Sequence, residues 1–166
     1  MKLKFSIFLI SCLLFIAGIG FAQHASLRNE DALKYVDPYI GSDYHGHVFV
    51  GTNVPYGMIQ LGPSNIHKGW DWCSGYHYSD SILIGFSHTH LSGTGCTDLG
   101  DILIMPLNEI RTPRGNQDDI QGGYASKYSH DNEIVRPEYY SLLVDRYGIK
   151  AELTTTDRVG FHRYTY

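Results

Sequence analysis

Ile149-Lys150-Ala151-Glu152-Leu153-Thr154-Thr155-Thr156 places Ile149, Ala151, Leu153 and Thr155 on one face and Lys150, Glu152, Thr154 and Thr156 on the other. Successive side chains of an extended chain point to opposite faces, so this period of two marks a half-buried strand. Upstream, Tyr139 to Val144 is an aromatic and β-branched run, followed by a turn at Asp145 to Gly148. Downstream, Asp157 and Arg158 make a second turn, and Val159 to Tyr166 a third strand with Val159 and Phe161 sharing a face. The three strands form an antiparallel meander. The 13 tyrosines, 18 glycines and scant helical periodicity agree, so the sequence predicts a mainly β fold, an antiparallel β-sandwich. Because the chain stops at Tyr166 within that third strand, the sheet reads as unfinished, part of something longer.

The other end of the chain reads as a targeting segment. Lys2 and Lys4 precede an apolar run from Phe5 to Phe21, closed by the small Ala22 and a polar Gln23. That order is the layout of a secretory signal peptide. It divides the chain into a signal peptide at 1–22, a lead-in at 23–34 and a sandwich domain at 35–166. The apolar run is at the bottom of the membrane-spanning range, about 17 residues, and no basic cluster follows it. A lipidation box around Cys12 matches only loosely. Of 13 Lys and Arg, cleavage removes Lys2 and Lys4 and leaves 11, against 17 Asp and Glu. An acidic product argues against nucleic acid and anionic membranes as partners, which require clustered positive charge. Cys73 and Cys96 remain after cleavage, in a compartment where disulfides persist. A bridge between them would close a loop of about 23 residues, worth roughly 3 kcal/mol; two buried thiols are the alternative.

Within the domain, Val48 to Val50 and Met58 to Leu61 read as strands around a turn at Gly51 to Gly57. Ile82 to Phe86 and Ile102 to Met105 read as short buried strands, and Asn108 to Gly123 as a surface loop. The stretch from Gly69 to Asp101 holds both tryptophans, three histidines, four aspartates and six glycines, and is short of Lys and Arg. Glycine lets a ligand approach backbone closely, while Trp, His and Asp supply a flat apolar face and directional polar groups. Such a pocket suits a sugar. Trp70 and Trp72 would share a face on an extended segment, with Asp71 pointing away. Their polar, glycine-rich setting favours a loop in which Trp70 stacks on ligand rather than the core packing usual for tryptophan.

Other chemistry is weakly signalled. His45/His47 and His88/His90 are two His-x-His pairs, each able to aim two imidazoles at one point on a strand. With Asp98 or Asp101 they could hold zinc or iron, yet no third ligand stands at a fixed spacing. Hydrogen bonding within a polar loop is the plainer reading of them, and contact with sugar hydroxyls the intermediate one. Gly93 to Asp98 lacks the third glycine of a dinucleotide loop and the Lys-Ser/Thr of a P-loop. Gly85 to Thr89 lacks the closing glycine of a nucleophile elbow. A Cys73 nucleophile served by His77 lacks a marked third partner. No pair of carboxylates is assignable as acid and base from spacing.

Asp37 to Gly41, Pro55 to Leu61, Trp70-Asp71 with Cys73 to Tyr78, Gly85 to Gly95 and Asp157 to Tyr164 together resemble glycoside hydrolase family 92. The likeness covers nearly all of the chain after the signal peptide. It implies the N-terminal β-sandwich of a secreted bacterial exo-α-mannosidase, periplasmic or extracellular, that needs calcium (Ca2+), inverts the anomeric centre and acts on a mannose-containing glycan. In such enzymes the sandwich packs on a C-terminal helical domain, which carries the general acid, the general base and most of the calcium shell. The family tryptophan followed by aspartate falls on Trp70 and Asp71, implying contact with the leaving-group sugar. Trp72, less typical at its position, would bear on linkage preference, and Val50 stands where proline is expected. The substrate-binding set is therefore Trp70, Asp71, Trp72, His88 and His90, with catalytic and metal residues outside the chain. The 166-residue chain alone is expected to be inactive and poorly soluble. A stand-alone carbohydrate-binding module using Trp70, and a metal-dependent hydrolase using His88 and His90, are the other two readings.

Overall fold

The structure, a computed structural model, describes residues 32–93 and 99–166. The signal-peptide reading and most of the lead-in fall outside them. The chain divides into two compact units between Val36 and Asp37, and of the first only residues 32–36, which include a helical turn, are described.

The second unit is built from seven strands: β1 (Gly62–Asn65), β2 (Ile82–Ser87), β3 (Ser126–Lys127), β4 (Glu133–Arg136), β5 (Tyr139–Val144), β6 (Ile149–Thr155) and β7 (Gly160–Thr165). They form two antiparallel sheets, ordered β1-β2-β3 and β4-β5-β6-β7. The sandwich core lies between them. Leu61, Leu83 and Phe86 on one side join Tyr140, Leu142 and Leu153 on the other in one buried cluster, and the Phe86 and Tyr140 rings meet edge-on at 6.2 Å.

The meander forms as its alternation requires. In β6 Ile149, Ala151, Leu153 and Thr155 are buried, while Lys150 and Thr154 are exposed. The Asp145 to Gly148 turn is also present. Strand β7 keeps its alternation, but the face containing Val159 and Phe161 is turned to solvent, and Phe161 is 52% exposed. Register is the reason: Phe161 sits opposite Thr154, an outward residue of β6, so His162 and Tyr164 take the inner positions.

Three expectations need correction. Val48–Val50 and Met58–Leu61 form no strand pair, only a single bridge from Thr52 to Leu61. Their amides are taken by scattered partners, Met58 N by Asp157 O at 2.7 Å and Gln60 N by His88 O at 2.9 Å, so no ladder propagates. Ile102–Met105 likewise contributes one bridge, Ile104 to Phe86. On the edge of β2 away from β3, the strand that pairs is Gly62-Pro63-Ser64-Asn65, whose turn-forming composition conceals it. The 108–123 segment is a loop, as expected. It is held by Arg146, whose guanidinium donates to the carbonyls of Ile120, Gln121, Gly123 and Ala125.

Candidate functional site

Gly69 has φ +118°, and the chain then makes one 3-10 turn over Trp70–Trp72. At three residues per turn, consecutive side chains splay in three directions. The two tryptophans thus do not share a face, as an extended segment would have made them. Trp72 turns inward: its ring stacks on His77 at 4.1 Å and its Nε1–H donates to Asp80 at 2.8 Å. Trp70 projects outward and is 64% exposed, its ring 5.3 Å from that of His47.

Asp71 stands beside it, its side chain 28% exposed. Its Oδ1 faces His45 Nδ1 at 2.6 Å and His47 Nε2 at 3.3 Å. The His45 hydrogen bond, with a smaller one from His47, holds the Asp71 carboxyl below its ordinary range against a modest desolvation effect. The Nδ1–H of His45 donates to Asp71, which fixes the orientation of the ring. The backbone on either side is strained: Tyr44 and His47 adopt φ +48° and +53°. Such conformations cost about 1–3 kcal/mol each and gather at functional sites. The first is secured by His77, whose Nε2 lies 3.2 Å from Tyr44 O, and the second by Gly93 N donating to His47 O at 2.7 Å. The result is a flat aromatic face edged by a carboxylate and an imidazole, the pairing a sugar ring needs for stacking and for hydroxyl hydrogen bonds.

His88 and His90 are not brought together by their alternate spacing. His90 is 3% exposed, donates from Nδ1 to Gln60 O at 2.9 Å, and turns Nε2 to Ser87 Oγ and Ser64 Oγ at 3.1 and 3.3 Å. Burial lowers its pKa. Its ring stacks under Phe49 and so closely against Gly75 that any Cβ there would meet it at 2.8 Å. His88 instead donates from Nδ1 to Ile102 O at 3.0 Å, leaving Nε2 to accept from His162 Nε2 at 3.1 Å. His162 Nδ1 then accepts from Tyr164 OH at 2.7 Å. Burial brings the His162 pKa down to about 4 and raises that of Tyr164 to about 12. Among the described residues no group of three or more His, Cys, Asp or Glu is arranged to hold a metal ion. Cys73 is buried, and Asp98 and Cys96, hence the proposed bridge, lie outside the described residues.

Residues 35–166 match the N-terminal domain of glycosyl hydrolase family 92. The chain belongs to this family. A secreted glycosidase of Arthroderma benhamiae, itself uncharacterised, is 29% identical over 154 residues, covering 90% of this chain and 19% of its own length. An α-mannosidase of family 92 from Bacteroides thetaiotaomicron, solved with mannoimidazole and without it, aligns with TM-score 0.77 and 44% identity. The alignment covers 81% of this chain and 18% of the mannosidase. An inverting mannosidase of the same family and organism gives TM-score 0.60 and 25% identity, over 80% of this chain and 18% of its own. The chain therefore spans about a fifth of the length of these relatives.

The family 92 domain also contains a buried carboxylate constellation that sequence reading missed. Glu133 Oε2 accepts from Tyr39 OH at 3.3 Å, Tyr76 OH at 3.2 Å and His130 Nδ1 at 2.6 Å, and Oε1 from Tyr140 OH at 2.7 Å. His130 and Tyr140 lie near Glu133 in the chain, but Tyr39 and Tyr76 come from segments 94 and 57 residues away, and no sequence pattern joins them. His45 with Asp71 was missed for the same reason, being 26 residues apart.

Proposed function

We propose that this chain is the N-terminal sandwich of a secreted, exo-acting, inverting α-mannosidase acting on a mannose-containing glycan, and that Trp70 and Asp71 contact the leaving-group sugar. The observation that carries the reading is the exposed Trp70 ring beside the His45–Asp71 pair, in a domain of a family whose solved members include α-mannosidases. A secreted relative and the signal-like N-terminus support export. Calcium takes six to eight oxygen ligands, usually anchored by carboxylates, and among the described residues no group of three or more His, Cys, Asp or Glu stands together to begin such a shell. Its site in this reading belongs to the part of the family enzymes that the chain does not span.

The chemistry belongs there too. Inversion needs an acid and a base about 6.5–9.5 Å apart across the scissile bond. The most deeply buried carboxylates here, Asp80 and Glu133, are each engaged by four donors. The 166-residue chain is therefore expected to turn over no α-mannoside, with or without calcium. Turnover abolished by mutating an Asp or Glu within 23–166 would overturn this. In the full-length enzyme Trp70→Ala is expected to raise KM for α-mannobiose on the order of tenfold, the loss of about 1.4 kcal/mol of contact. An unchanged KM removes Trp70 from the sugar site.

A further inference from the structure

We infer that Asp80, itself out of reach of any ligand, is the residue that positions the Trp70 site. Its side chain is 1% exposed and both oxygens are fully used. Oδ1 accepts from Ser81 N at 2.8 Å and Ile82 N at 3.0 Å, fixing the start of β2. Oδ2 accepts from Trp72 Nε1 at 2.8 Å and from Lys68 Nζ at 2.9 Å. Lys68 precedes Gly69, and Trp72 ends the turn, so one buried oxygen holds both ends of the loop whose middle residue is Trp70.

Packing against neighbours does not set the start of that loop. A Cβ added at Gly69 would touch nothing within 4 Å, so packing does not select its φ of +118°. The carboxylate also governs the neighbouring loop through contacts in series. Trp72, held by Asp80, stacks on His77, and His77 Nδ1 accepts from Ser79 N at 3.3 Å. The ring proton is therefore on Nε2, where it donates to Tyr44 O, one residue before His45. Trp70 on one loop and His45 on the other thus take their positions from one framework. Hydrogen bonds to a charged group are stronger than neutral ones and directional, and misplacement of binding groups by about 1 Å is costly.

The inference rests on Trp70 being a sugar contact, and the test separates the two ideas. Asn at position 80 retains one acceptor oxygen for Ser81 and Ile82, but turns an amino group toward the Trp72 N–H and the Lys68 ammonium. The strand start is kept and the loop is released. In the full-length enzyme Asp80→Asn should raise KM for α-mannobiose on the order of tenfold. It should leave kcat/KM for α-mannosyl fluoride, whose leaving group is a single atom, near that of the parent. Lys68→Met, at a residue 26% exposed, should shift KM the same way by less, and decides the matter if the Asp80 variant fails to fold. A merely structural role would lower both substrates in proportion, and that result, or an unchanged mannobiose KM in both variants, overturns the inference. Trp70→Ala raising KM alongside such a failure would sink the role of Asp80 alone. Trp70→Ala without effect would remove the sugar site and this inference with it.

Discussion

Glu133→Ala is expected to destabilise the domain by about 3–5 kcal/mol, because it leaves the donors around a wholly buried carboxylate without an acceptor. The Glu133 side chain is wholly buried and pairs with His130 at 2.6 Å. Three phenols, from Tyr39, Tyr76 and Tyr140, donate to the same carboxylate. Removing it orphans four donors at once, and each unsatisfied buried group costs about 1–3 kcal/mol before any relaxation. Glu133→Gln should recover little, since its single acceptor oxygen replaces two and its amino group faces donors. Urea unfolding reads the effect as a lower midpoint at unchanged slope. A loss below about 1 kcal/mol would mean that water replaces the carboxylate and that the network contributes little.

The same cluster sets an alkaline limit. Tyr76, Tyr128 and Tyr140 are 1%, 3% and 0% exposed. Burial raises the pKa of each above the ordinary value of 10, and the negative charge of Glu133 adds to it. Below pH 10 these phenols are protonated in both folded and unfolded chains, so stability is whole. Above it the unfolded chain releases protons that the folded one retains, and stability falls by about 1.4 kcal/mol per pH unit for each group. Three groups remove about 4 kcal/mol per unit from a total of about 5–15 kcal/mol. Cooperative unfolding is expected about one to four units above pH 10. Phenolate absorbance should then rise in one step that coincides with loss of the β-sheet circular dichroism. Smooth titration of these tyrosines with the sheet intact would contradict the burial argument.

Of the candidate site, Trp70 and Asp71 stood out by composition, and the structure leaves Trp70 exposed with Asp71 partly exposed beside it. Trp72, equally conspicuous in the sequence, is instead internal support, because a 3-10 turn rather than an extended segment separates the two rings. His88 and His90 were singled out by spacing, yet spacing aims side chains at a common point only when the backbone between them stays extended. Strand β2 ends at Ser87, and the two imidazoles then find unrelated partners.

What the sequence determined by itself was everything written within a few residues: the alternation of β6, the Asp145–Gly148 turn, the buried run of β2, and hence the β class. A pleat allows only two faces, so a short pattern suffices to identify it. Only the tertiary structure decided which face of β7 is solvent, that a Gly-Pro-Ser-Asn segment serves as β1, and that Tyr39 reaches Glu133 across 94 residues of chain. Those outcomes depend on which segments meet. Contacts between distant residues are selected by the burial and hydrogen-bond satisfaction of the whole core, and no local stretch of sequence carries that information.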